Sequence, residues 1–132
     1  MKKFFGLFSI IIFGLYGCPY SDDIPSHLRI VNNSVSDIYF GISSSFPDTS
    51  LSHIEVIPFY EGNTTQKIEA GDTMSIRTII LAEDNTTQIF FFDANVVEAE
   101  SWDSIVSNYV VLKRKEITES DLEMSDWTIT YP

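Results

Sequence analysis

The chain has one cysteine, two histidines, and only 8 basic side chains against 19 acidic ones. A single cysteine excludes an internal disulfide and any zinc centre built from several thiolates. A formal net charge of −11 argues against a nucleic-acid partner, because an acidic surface repels a phosphate backbone. No run of 18 or more apolar residues is present, and no internal repeat or low-complexity tract beyond one Ser-rich stretch. What is present is 132 residues, 44% of them hydrophobic and 14% aromatic. That is enough for one domain with its own core, without disulfides.

The longest apolar run stands at the start. Met1-Lys2-Lys3 is followed by residues 4–16, apolar apart from Ser9, and then by Gly17 and Cys18. A basic start, a short apolar stretch and a small residue before a cut describe a secretory signal. As a helix the run would reach only about 20 Å, against a hydrocarbon core of about 30 Å. Leu15-Tyr16-Gly17-Cys18 resembles the bacterial lipobox, with Tyr16 where a small residue is more usual. The resemblance implies cleavage before Cys18 and lipid on its thiol, which accounts for the lone cysteine. Several acyl chains on one residue give stable membrane anchoring. Cleavage also removes Lys2 and Lys3, so the remainder is more acidic still. The domain face is then expected to stay off anionic lipid.

Residues 19–26 contain two prolines, two serines and two aspartates, and read as a linker. Eight residues reach at most about 28 Å. Ser21-Asp22-Asp23 is similar to the Ser-plus-acidic signal that Bacteroidota lipoproteins carry when moved to the cell surface. The expected organisation is a signal peptide over 1–17, a lipidated N-terminus and linker over 18–26, and one β-rich domain over 27–132.

The body reads mainly as strands. Leu28-Arg29-Ile30-Val31 is closed by the turn signal Asn32-Asn33-Ser34, and Ile38, Phe40 and Ile42 alternate with Tyr39 and Gly41. These two strands are expected to form a hairpin. Residues 43–52 read as an exposed loop, and 54–60 as an edge strand demoted by Pro58. Met74, Ile76, Thr78 and Ile80 alternate in the next strand. Residues 83–87 form a turn, and Ile89-Phe90-Phe91-Phe92 is apolar on both faces, as a central strand is. Ser101 is an N-cap for a helix carrying Trp102, Ile105, Val106 and Tyr109, with Asp103 in its first turn. Tyr109-Val110-Val111-Leu112 turns back into strand through Lys113-Arg114-Lys115-Glu116. Thr118-Glu119-Ser120-Asp121 fits a capping box, with Ile117 and Leu122 at staple positions. Trp127, Ile129 and Tyr131 alternate in a last strand.

Strands with turn signals about every ten residues predict an antiparallel β-sandwich, Ig-like in architecture, with one or two short helices in the C-terminal third. The alternative is an α+β arrangement with two helices on one sheet. The expected core is Leu28, Ile30, Ile38, Phe40, Ile76, Ile89, Phe91, Val111, Trp127 and Ile129. The segments Ile89-Phe90-Phe91-Phe92-Asp93-Ala94, Ser101-Trp102, Tyr109-Val110-Val111-Leu112-Lys113-Arg114 and the ending Trp127-Thr128-Ile129-Thr130-Tyr131-Pro132 resemble small lipoproteins of gut Bacteroidota. The resemblance spans about residues 28–132 and implies no activity and no functional residues.

Chemistry is sparse. Asp93, Glu98, Glu100 and Asp103 gather carboxylates within eleven residues, but the spacing fits no EF-hand loop, so a solvated acidic connection is expected and no metal. His27 and His53 lie in no motif, Gly-x-Ser-x-Gly is absent, and no catalytic residue is assigned. Two of the 19 carboxylates meeting as in a glycosidase is allowed by sequence but supported by nothing in it. Lys113-Arg114-Lys115 is the one basic cluster, read first as ion pairs across the sheet and second as a docking patch. Trp102, Trp127, Tyr39, Tyr60 and Tyr109 are expected mostly in the core, with a sugar-stacking platform as the alternative. Asp72-Thr73-Met74 and Asp103-Ser104-Ile105 resemble Bacteroidota O-glycosylation sites, which would place glycans on Thr73 and Ser104. The expected function is a non-catalytic binding or structural role on the outer membrane, on the cell surface, anchored through Cys18. Its partner is an unknown protein or glycan, with no cofactor. A periplasm-facing lipoprotein that binds or protects another envelope protein is the alternative.

Overall fold

The computed structural model describes residues 27–43, 45–52, 54, 66–77 and 86–132. Seven strands and three short helices follow in the order β1 (His27–Asn32), β2 (Ile38–Ser43), β3 (Lys67–Ile68), β4 (Thr73–Arg77), β5 (Thr86–Asp93), α1 (Ala94–Ala99), α2 (Trp102–Asn108), β6 (Lys113–Thr118), α3 (Glu119–Met124) and β7 (Thr128–Tyr131). The described chain is mainly β, in two sheets. One has the order β4-β1-β7, the other β3-β2-β5-β6.

Two middle strands dictate the layering. β2 and β5 are apolar at successive positions, and successive side chains on a strand point to opposite faces. Ile38, Phe40, Ile89 and Phe91 therefore face the smaller sheet, where they meet Leu28, Ile30, Ile117, Leu122, Trp127 and Ile129. Tyr39, Phe90 and Phe92 face the other way, onto Leu51, Ile54, Ala94, Val97 and Ile105. The result is three layers: small sheet, large sheet, then α1, α2 and the 45–52 loop with Ile54. Eight of the ten expected core residues are buried; Ile76 and Val111 are half-buried against the first and second cores.

Several expectations are corrected. β1 and β2 do not form a hairpin, since they belong to different sheets. Asn32 makes the crossing possible. It is fully buried, and its Nδ2 donates to the carbonyls of Ser36 (2.8 Å), Ile68 (3.1 Å) and Glu69 (3.1 Å), while Oδ1 accepts from the Ser34 N–H and hydroxyl. The sandwich is not wholly antiparallel: β7 runs parallel to β1, from Arg29 opposite Thr128 to Asn32 opposite Tyr131. α3 carries the chain from the edge of one sheet to the edge of the other, so β7 enters beside β1 from the same end. The described residues hold three helices, because α1 follows β5 directly. Asp93 ends that strand and caps α1 by accepting from the Asn95 N–H. Residues 109–112 are not strand. Tyr109 closes α2 in the left-handed region at φ 51°, and the Val110 N–H donates to the Ile105 carbonyl at 3.0 Å, so the helix ending overrides the β propensity of these residues. Thr86 and Thr87 open β5 rather than forming a turn. The expected strand at 55–60, and the 78–80 end of the next, lie outside the described residues.

The capping box forms as read. The Thr118 hydroxyl accepts from the Asp121 N–H, and Asp121 accepts from the Thr118 N–H at 2.9 Å. The Thr118 N–H bond first, and then a bond that the Thr118 hydroxyl donates to the same carboxylate at 2.7 Å, hold the Asp121 carboxyl below its ordinary range. A depressed folded-state pKa stabilises the fold fully above the unfolded value of about 3.9 and loses that effect as pH falls through the folded value. Thr118→Ala is expected to cost about 1 kcal/mol at pH 7. The gap between wild type and variant should narrow at pH 3, as read from urea melts at both pH values.

Candidate functional site

The strand directions define two ends. β1 starts where Arg29 donates its N–H to the Trp127 carbonyl (2.9 Å), with His27 opposite Arg77 and α3 alongside. β6 runs toward that end, so its start at Lys113, opposite Phe91, lies at the other. There the surface changes character. Among the described residues Val35 and Met124 are exposed apolar side chains that stand singly. Tyr109, Val110 and Leu112, at 41%, 37% and 48% exposure, instead fall in one four-residue stretch, whose Val111 turns half-buried onto the second core. It runs directly into Lys113 and Arg114, both exposed. Three of the chain's eight basic residues are thus consecutive, beside its longest exposed apolar stretch among the described residues.

β6 is the outer strand of the large sheet and β7 of the small one. Lys115 bridges them: its ammonium donates to the Thr130 carbonyl. Burial, and secondarily Lys113, push that ammonium below its ordinary value. An open groove of about 210 Å³ follows the junction, lined by Lys115 and Ile117 of β6, Asp121 and Leu122 of α3, and Ile129 and Thr130 of β7. Arg114 points to the opposite face and pairs with Glu116 at 3.3 Å, both half-exposed. The pairing expected across the sheet is therefore made along the strand, since residues two apart share a face.

Two further polar clusters are structural in geometry. Lys67 donates to Glu98 at 2.7 Å and pairs with Asp37 at 3.4 Å, and the Tyr39 hydroxyl donates to Glu98 at 3.2 Å. The hydrogen bond from Lys67 draws the Glu98 carboxyl down and raises the Lys67 ammonium, while burial, then Glu98, raises the Tyr39 phenol. This ties α1 to β2 and β3. The second cluster lies within the 45–52 loop. Asp48 is buried and accepts from the Ser43 hydroxyl at 2.9 Å and from the N–H groups of Ser50 and Leu51 at 3.1 Å, while its own N–H donates to Gln88 Oε1 at 2.5 Å. Sequence reasoning took this loop as exposed. The available signals were Leu51 within a polar stretch, and an aspartate placed to accept from the N–H groups two and three residues on.

The other sequence candidates scatter. Leu15, Tyr16, Gly17, Cys18, Ser21, Asp22, Asp23, His53 and Tyr60 lie outside the described residues. Thr73 is exposed at the head of β4, opposite Val31. Ser104 sits in the first turn of α2, half-buried, and its hydroxyl donates to Glu100 at 2.9 Å. The carboxylates of 93–103 part company: Asp93 caps α1, Glu98 holds Lys67, Glu100 accepts from Ser104, and Asp103 is in the first turn of α2. Among the described residues no three His, Cys, Asp or Glu side chains converge as metal ligands. Nor do the described aromatics form a platform. Tyr39 and Trp127 are buried in different cores, and Trp102 packs edge-on against Phe92 at 5.3 Å. His27 is exposed at the start of β1.

The fold and this surface define a helix-flanked, two-sheet β domain with an apolar and basic stretch at one end. Comparison with protein-family models, with curated proteins and with solved structures finds no match.

Proposed function

We propose that the protein is a lipid-anchored bacterial envelope protein whose folded domain is a non-catalytic binding module displayed on the outer membrane, facing out of the cell. The observation that carries this is the apolar stretch of Tyr109, Val110 and Leu112 running into Lys113 and Arg114 on an otherwise acidic chain. It lies at the end away from His27, where the chain enters the domain. With lipid on Cys18, after the lipobox Leu15-Tyr16-Gly17, and a tether over 18–26, that end points away from the bilayer. Ser21-Asp22-Asp23 acts as the export signal. The two sheets serve as an Ig-like scaffold that offers one end to a protein or glycan partner. Thr73, exposed in its turn, is the better placed glycan acceptor, since the Ser104 hydroxyl is already engaged.

Protease shaving of intact cells tests the reading, with Cys18→Ala and a periplasmic marker as controls. The wild-type domain is expected to be digested while the marker survives, and Cys18→Ala to lose the anchored pool. Protection of the domain until lysis overturns surface display and favours a periplasmic partner, the envelope-protecting role.

A further inference from the structure

We propose that the outer edge of β6 receives an extended acidic segment of a partner protein, which joins the four-stranded sheet as a fifth strand. This rests on the domain being a binding module, and names the chemistry of what it binds.

The edge geometry comes first. β6 ends the order β3-β2-β5-β6 and pairs with β5 from Lys113 opposite Phe91 to Thr118 opposite Thr86. Its outer row of main-chain N–H and C=O groups meets no strand among the described residues, and such a row is a template for another chain. Six residues give it about 20 Å, room for a short guest strand.

Charge selects the guest. Lys113 and Arg114 stand exposed along this edge, while Lys115 turns inward to Thr130. A second copy of β6 laid parallel and in register would bring cation against cation, and a net charge of −11 on each chain opposes the close approach of two copies. A glutamate- or aspartate-bearing strand gains where a like strand loses, and the same charges give both attraction and exclusion. The Arg114–Glu116 pair is half-exposed and exchanges readily for a better-placed carboxylate.

Upstream, Tyr109, Val110 and Leu112 add apolar contact area. Tyr109 holds φ 51° at a helix ending where glycine is the ordinary choice, and its ring stands there partly exposed. Tyrosine and arginine are the side chains in which binding energy concentrates at interfaces. An anionic membrane would also attract apolar and basic groups. Against it stand the net charge of −11 and the position of this stretch, at the end opposite His27.

The test uses the full chain in non-ionic detergent micelles and fluorescent heptapeptides. One alternates glutamate with valine, one alternates lysine with valine, and one is the glutamate peptide with every second amide N-methylated. Saturable binding of the glutamate peptide is expected. It should weaken at least tenfold with the N-methylated peptide, which cannot complete a ladder, and at least tenfold in the Lys113→Glu/Arg114→Glu variant. The milder Lys113→Gln/Arg114→Gln variant is read beside it, and both must melt like the wild type. Equal binding of the lysine peptide, or indifference to N-methylation, overturns strand addition. So does tighter binding to phosphatidylglycerol vesicles than to the glutamate peptide, which would mark a membrane contact. A photo-crosslinker at position 109 in cells separates the two levels. A captured protein with no peptide binding overturns strand addition and leaves the binding module standing. Neither capture nor peptide binding overturns both.

Discussion

Phe91→Ala is expected to lower the free energy of unfolding by about 4 kcal/mol. The ring is fully buried at the middle of the molecule, between the two sheets. It lies opposite Phe40 in the ladder and 4.9 Å from the Tyr131 ring, tilted by 38°. Hydrogen-bonded strands bound the site on both sides and cannot close into the space, so the cost includes most of the cavity. Phe90→Ala removes an equal volume from the other face, against the short helices α1 and α2 and against Leu51 and Ile54. Those elements can shift inward, and the expected loss is smaller, about 3 kcal/mol. The chain's two tryptophans divide between the layers: Trp127 belongs to the first core and Trp102 packs on the second. Urea unfolding followed in Trp102→Phe and Trp127→Phe backgrounds therefore reports each layer by itself. β2 and β5 belong to both cores, so the two transitions should coincide, and either alanine should lower both midpoints together. A loss below about 1 kcal/mol for Phe91→Ala, or a transition in one layer only, would contradict this packing.

That double burial was legible in the sequence. Four successive apolar residues at 89–92 cannot all face one core, and reading them as a central strand follows from side-chain alternation alone. The caps were legible for a similar reason. Ser101 and Thr118 act through atoms three residues away, so short-range sequence carries the whole interaction. What could not be read are the events decided at long range. Nothing local tells Leu28 that its neighbours will be β4 and β7 rather than β2, because the turn signal at Asn32 is satisfied equally by a hairpin and by a crossing between sheets. The strand propensity of Tyr109, Val110, Val111 and Leu112 was real, but the ending of α2 took the first of them into a left-handed turn. The basic cluster was visible as three letters. That it occupies a sheet edge, next to exposed apolar side chains and away from His27, needed the topology.

Asp48 shows the same limit at its most costly, and its removal is the second large effect expected. The residue is 2% exposed, and its carboxylate accepts from the Ser43 hydroxyl, from the N–H groups of Ser50 and Leu51, and at 3.5 Å from the Ser50 hydroxyl. Those bonds fold the loop back on itself so that Leu51 enters the second core completely. Alanine leaves the Leu51 N–H buried with no acceptor and takes a partner from the part-buried Ser50 N–H and from the Ser43 hydroxyl, which keeps the Ser45 carbonyl at 3.2 Å, at roughly 3 kcal/mol in sum. For a domain of this size that is roughly a 15 °C fall in the thermal midpoint. Asparagine keeps one carbonyl oxygen for the two N–H groups. Its amide can donate to Ser43, whose hydroxyl turns to accept, so Asp48→Asn should cost only about 1 kcal/mol. The contrast between the variants tests the geometry rather than mere burial. Scanning calorimetry at pH 7 gives the two midpoints, and limited proteolysis shows where the alanine variant opens first. Cleavage is expected within residues 45–52 before any cut in β5 or β6, because the loop loses its hold while the ladders keep theirs. Equal costs for alanine and asparagine would mean that the hydrogen bonds contribute little. The loop would then be held by Leu51 alone, and Leu51→Ala would become the more damaging change.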